Sequence, residues 1–132
     1  MGCLISRQVA WPTTGVAAIL STAYEAGNIM EVGLANVITL GVVISGNSVS
    51  SVAAKIEWTD DGTDYFPAEA VNSVSSNVAY LGDGEFRQDS GTVGNHTITA
   101  RVPPGTKVRP SIKQLGGTAA SLGLIRALFT VE

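Results

Sequence analysis

The chain has 132 residues, enough for one domain around a single core, and 45% of them are apolar while only 14% are charged, about half the usual charged share. Its net charge of -3 argues against a general nucleic-acid binder, which needs a clustered excess of Lys and Arg to neutralise phosphates. A surface this poor in charge must be largely Ser, Thr, Asn, Gln and Gly, and it suits a protein whose flanks are covered by neighbouring copies.

Residues 1–28 carry few charges, and Trp11 must be extended because the residue before a proline avoids the helical region. This stretch reads as an N-terminal arm or first strand, with residues 29–132 forming the sandwich domain. The alanine-rich run 16–24 fits a short helix or a strand, and an arm ending in a strand is the expectation. Strand signals strengthen at 29–32 and again at 37–44, where Ile38, Leu40, Val42 and Ile44 share one face. Over 52–59, Lys55, Glu57 and Thr59 alternate with Ala54, Ile56 and Trp58, which assigns the second set to the core. Residues 60–64 supply a tight turn with Gly62 available for positive φ, and a short extended piece follows at 65–67.

The polar, glycine-punctuated stretch 68–95 reads as loops and a sheet edge around one strand at 78–81. Alternation returns at 97–102, with Ile98, Ala100 and Val102 inward, and Pro103, Pro104 and Gly105 end it. In the next strand, 107–113, Val108 and Ile112 face inward and Lys107, Arg109, Ser111 and Lys113 outward; Pro110 marks an edge or a bulge. The last run, 119–131, is apolar on both faces, with Leu122, Leu124 and Leu128 on one and Ile125, Ala127 and Phe129 on the other, so both faces need cover. Seven or eight strands at this spacing predict an all-β protein, a two-sheet β-sandwich of jelly-roll type.

The charges are lopsided along the chain. Eight of the eleven acids fall between Glu57 and Asp89, where Arg87 is the sole base, while residues 101–126 hold five bases and no acid. Acidic and basic strands facing each other across a sheet would account for this, as would an acidic edge of one subunit meeting a basic face of the next. The single cysteine, Cys3, has no partner for an internal disulfide, and no stretch reaches the length of a membrane span. The first six residues match an acylation pattern and Asn95-His96-Thr97 a glycosylation sequon, both short enough to arise by accident.

Little in the chain carries catalytic chemistry. The only histidine, His96, falls in a loop sequence with no nucleophile assignable beside it, and one Cys with one His cannot supply a zinc ligand set. Asp60, Asp61 and Asp64 offer oxygens in one turn, but their spacing departs from a calcium loop and turn formation explains them equally well. Trp58, Tyr65 and Phe66 cluster around that turn in a way that could serve carbohydrate, although Trp58 is in phase with the core and Tyr65 is the surface candidate. The expectation is a non-enzyme without metal or cofactor.

The run Lys55-Ile56-Glu57-Trp58-Thr59-Asp60-Asp61-Gly62-Thr63-Asp64-Tyr65-Phe66-Pro67 resembles a hairpin recurrent in small β-sandwich virion proteins of tailed bacteriophages. The run from Val102 through Lys113, followed by Gly116-Gly117-Thr118 and an apolar strand, is similar to the C-terminal half of the same proteins. Capsid decoration (cement) proteins fit best among them. The resemblance implies a homotrimer on the capsid surface, assembled in the bacterial host cytoplasm, that stabilises the phage head by packing against itself and the major capsid protein, with no nucleic acid or membrane as partner. It implies that Val9 and Trp11 lie on an arm clasping a neighbour, and that Leu122, Leu124, Ile125, Leu128 and Phe129 pack subunits, although an ordinary two-sided central strand suits this second set equally well. The alternative is a tail, fibre or baseplate module that binds host glycan.

Overall fold

Alternating β-branched and polar residues favour extended chain with one buried face, and this pattern dominates the architecture. The structure is a computed structural model that describes residues 3–11, 18–19, 23–45, 51–71, 78–88, 94–115, 121–122 and 125–132. In chain order the strands are β1 (Cys3–Trp11), β2 (Ala18–Ile19), β3 (Glu25–Ala26), β4 (Met30–Glu31), β5 (Val37–Ser45), β6 (Ser51–Thr59) and β7 (Phe66–Pro67). They continue with β8 (Glu69–Ala70), β9 (Val78–Gly82), β10 (Glu85–Gln88), β11 (Gly94–Arg101), β12 (Lys107–Leu115), β13 (Ser121–Leu122) and β14 (Ile125–Val131). The described residues contain no helix.

The strands form two sheets packed face to face, an all-β sandwich. The first sheet runs β1-β14-β5-β11-β8, with β13 beside β5 and β2 beside β13; the second runs β3-β12-β6-β10-β9, with β4 on β12 and β7 on β6. Their inner faces share one core. Ile38, Leu40 and Val42 of β5, Ile98 of β11, and Ile125 and Phe129 of β14 meet Ile56 of β6, Phe86 of β10, and Val108 and Ile112 of β12, each no more than 1% exposed. Each large side chain buried this way contributes about 1.5–3 kcal/mol. The inward residues expected at β5, β6, β11 and β12 are thus in place, apart from Ile44, whose side chain lies outside the described residues.

Three local features differ from the sequence reading, and a further one agrees with it in part. Residues 3–11 take the first-strand alternative and do not extend away as an arm: they pair antiparallel with β14 from Cys3–Val131 to Trp11–Ile125, making β1 an edge strand of the first sheet. Within run 16–24, Ala18 and Ile19 form β2, in keeping with the strand reading of this run, and much of the rest lies outside the described residues. The glycine-rich stretch taken as loop contains β10, joined to β9 by a two-residue turn in which Asp83 and Gly84 have φ of 52° and 77°, and Phe86 of β10 is fully buried. Such a turn needs positive φ at both central positions and matches the twist of the flanking strands, so Asp-Gly was its signature. His96, with the sequon around it, lies within β11, where Asn95, His96 and Thr97 pair with Val43, Val42 and Gly41 of β5.

The two sheets are stitched at the β1 edge by a seam. Gly27 N donates to Pro110 O at 2.7 Å and Asn28 N donates to Ala10 O at 2.8 Å, linking β12 of one sheet to β1 of the other. Only glycine fits at 27, since a Cβ there would stand 2.0 Å from Ala10 O. The seam also explains Pro110. Ser111 pairs with Ala26 and Val108 with Met30, so two residues of β12 face three residues, 27 to 29, and the proline lies opposite this bulge, where a missing N–H breaks no regular ladder.

Candidate interface

Outward-facing residues divide the surface into two contrasting regions. On the second sheet, charges are matched across strands. Arg109 of β12 and Glu57 of β6 are register partners, with Nη2 3.6 Å from the carboxylate, and Lys55 reaches the same carboxylate at 3.7 Å. Lys107 and Glu31 pair in the same way between β12 and β4, at 3.8 Å. Of these pairs Arg109–Glu57 joins the basic run 101–126 to the acidic run 57–89 within the chain, whereas Lys55 and Glu31 come from outside those runs.

Rings complete this face. The Arg109 guanidinium lies 3.8 Å over the Tyr65 ring and the Lys113 ammonium 4.4 Å over the Tyr24 ring, both within cation–π range. Ala53, flanked in register by Lys113 and Arg87, keeps only 1% exposure although it points outward, because long neighbours lie over it. Burial, and secondarily the Glu85 carboxylate, push the Tyr24 hydroxyl up to about 12.

The turn after β6 is likewise self-contained. Asp61 Oδ1 accepts from Thr63 N at 2.8 Å, Asp64 N at 2.9 Å and Thr59 Oγ1 at 3.2 Å, while Gly62 N donates to Thr59 Oγ1 at 2.9 Å and Gly62 takes φ of 79°. The backbone N–H groups of Asp64 and Thr63 hold the Asp61 carboxyl below its ordinary range. Thr59, expected outward, is fully buried as the anchor of this turn.

The β1 edge is organised differently. Eight large hydrophobic residues are exposed among the described residues, and Leu4, Ile5, Val9, Ile29, Leu34 and Leu128 gather at this edge. Their proximity follows from the contacts around β1. Arg7 pairs with Leu128 and Val9 with Arg126; Asn28, next to Ile29, donates from Nδ2 to Val9 O at 2.7 Å; Ile5 lies over Gly33, next to Leu34. Gln8 Nε2 donates to Glu31 O at 2.9 Å, fixing the strand against β4. A shallow groove of about 170 Å³ runs along the edge, lined by Arg7, Gln8, Val9, Arg126 and Leu128. Neither Arg7 nor Arg126 has an ion-pair partner among the described residues.

The residues expected at a subunit interface separate into three groups. Val9 and Leu128, each 38% exposed, lie together on this edge. Trp11, Ile125 and Phe129, at 2%, 1% and 0%, lie in the chain's own core and have no area left to offer a neighbour. Leu124 and the side chain of Leu122 lie outside the described residues; the Leu122 backbone pairs with Ile44 and Ala18. Sequence reasoning missed Leu4, Ile5, Ile29 and Leu34, whose exposure depends on how the chain closes around β1. The fold and surface define a two-sheet β-sandwich with one charge-matched face and one apolar edge. No family model matches the chain, and neither the curated proteins nor the solved structures include a match.

Proposed function

We propose that this chain is a structural virion protein, a capsid decoration protein that stabilises a phage head by packing its β1 edge against copies of itself, as a trimer of jelly-roll type, and against the major capsid protein. The observation that carries the reading is the gathering of six exposed large apolar residues at one edge of the sandwich in a chain with only 14% charged residues. Contiguous apolar surface of this kind marks sites of association, and contacts that exist only in the assembled shell stabilise it by mass action. The hairpin at 55–67 and the C-terminal half supply the resemblance that points to a capsid surface.

Sedimentation velocity over a concentration series, with co-sedimentation on shells assembled from the major capsid protein of the same phage, tests this. Wild-type chain is expected to self-associate and bind shells. Leu128→Asp, which puts a charge at the centre of the groove, should weaken both about a hundredfold while the far-ultraviolet spectrum is unchanged. A wild-type monomer at every concentration, inert toward shells, would refute the proposal. The alternative, a tail, fibre or baseplate module for host glycan, is favoured by one separate observation, a cleft beside Trp58.

A further inference from the structure

A cleft of about 410 Å³ opens at the end of the sandwich where β6, the β7–β8 segment and the β11–β12 connection meet. Its volume lies in the range of small-molecule sites. Trp58, in phase with the core but only half-buried, turns part of its indole to this cleft, and Phe66 steadies it with ring centroids 4.8 Å apart. Pro67, Pro103 and Pro104 add flat aliphatic surface around the indole.

The polar groups at the cleft are few and planar. Glu69 and Arg101 are register partners on β8 and β11, both exposed, yet no ion pair or side-chain hydrogen bond occupies either among the described residues. Asn36 is locked in place, its N donating to Thr130 O at 3.0 Å and its O accepting from Val102 N at 2.9 Å. Asn36 lines the cleft, and its Oδ1 accepts from Glu132 N at 2.9 Å, which leaves the donors of Nδ2 outside that bond.

We propose that this cleft is a binding site for a neutral saccharide. Adjacent Arg101 and Glu69 present donors beside acceptors and cancel in charge, which matches vicinal hydroxyls that both donate and accept. A charged ligand would meet one unfavourable partner of the two. The indole and proline surfaces suit the apolar C–H face of a pyranose ring, and the backbone bonds of Asn36 preorganise the walls, reducing the cost of binding. The inference is independent of the assembly reading, because Leu128 and the β1 strand take no part in the cleft.

The test is titration of the intact chain with the methyl glycosides of glucose, galactose, mannose and N-acetylglucosamine, followed by tryptophan fluorescence and amide NMR. The chain has two tryptophans, and Trp11 is 2% exposed, so an emission change on binding reports Trp58. At least one glycoside is expected to give a saturable change with amide shifts at Asn36, Trp58, Glu69 and Arg101. Glu69→Ala and Arg101→Ala, at exposed positions that leave the core intact, should each weaken it about tenfold. Trp58→Phe, checked for folding by its melting curve, should weaken it too, whereas Leu128→Asp should leave it unchanged. The proposal is overturned by a panel that gives no saturable change, by binding indifferent to both exposed substitutions, or by a proline-rich peptide that shifts these amides while every glycoside stays silent.

Discussion

The outer face of the second sheet and the β1 edge of the first are made from the same chain but solve the problem of exposure in opposite ways. On the second sheet Glu57 serves both Lys55 and Arg109, and the rings of Tyr24 and Tyr65 lie under cations. That face pairs these charges internally, although Arg109 Nε is buried without a hydrogen-bond partner. At the β1 edge Arg7 and Arg126 flank Val9 and Leu128 with no carboxylate among the residues lining the groove. The difference teaches where a partner is needed: a face whose charges and rings are matched gains little from being covered, whereas exposed Leu and Val with unpaired cations gain both apolar burial and counter-charge.

The sharpest way to break the comparison uses two neighbours on β14. Phe129 is fully buried and Leu128 is 38% exposed, one pointing into the core and the other onto the edge. Phe129→Ala should cost about 4 kcal/mol of folding stability. Leu128→Ala should cost under about 1 kcal/mol of folding and weaken self-association instead. Urea melts read the first effect and sedimentation the second. Equal losses of folding stability at both positions would mean that Leu128 is covered within the chain and that the edge is no different from the core.

The seam at Gly27 is where the two regions are joined. Gly27→Ala forces a methyl group onto Ala10 O, where a Cβ would stand at 2.0 Å, and 3.0 Å from Pro110 Cγ. The change should cost about 2–4 kcal/mol through displaced backbone and lost hydrogen bonds. Amide exchange is expected to quicken at Asn28 and along β1, with little change between β12 and β6, because the seam holds the edge while the charge-matched face has its own ladder.

Much of the fold was legible because strand alternation is a local signal. Ile98 and Ala100, or Val108 and Ile112, declare their face within a few residues, and the register then follows from one buried side. β10 was hidden because four residues between polar stretches carry too little pattern, although Asp83-Gly84 encoded its turn. The first strand stayed open against an arm for a different reason. Leu4, Ile5 and Val9 lack alternation because an edge strand half-covered by a seam buries only its far end, Ala10 and Trp11. On β14, apolar residues on both faces were legible, but which face is core depends on the position of the other sheet, information that residues 119–131 do not contain. The cleft was illegible for the same reason: Asn36, Trp58, Glu69 and Arg101 come from four separate segments, and only the closed sandwich brings them to one end.

A smaller effect measures how far the second sheet is self-sufficient. Glu57→Gln removes the carboxylate shared by Lys55 and Arg109, whose side chains are 35% and 31% exposed. Partial exposure keeps the effective dielectric high, so the loss should be only about 0.5–1 kcal/mol, and it should shrink in high salt. Denaturant melts at two ionic strengths check this. Arg109 keeps its place over Tyr65 in the variant, and self-association should stay as in the wild type, since no residue of the β1 edge is touched.

The smallest effect appears only in alkali and reads the other end of the same face. Tyr24, pushed up to about 12 from 10.0, first by burial and then by the Glu85 carboxylate, holds its proton in the folded chain after the unfolded chain has released it. Between these values the folded state binds more protons, so stability must fall as pH rises; below about 10 both states are protonated and Tyr24 adds no pH dependence. Tyr24→Phe should therefore flatten part of the stability decline above pH 10 and remove a late step from the tyrosinate absorbance titration. A mutant whose alkaline curve overlays that of the wild type would show that the hydroxyl is solvated, leaving the ring under Lys113 as packing alone.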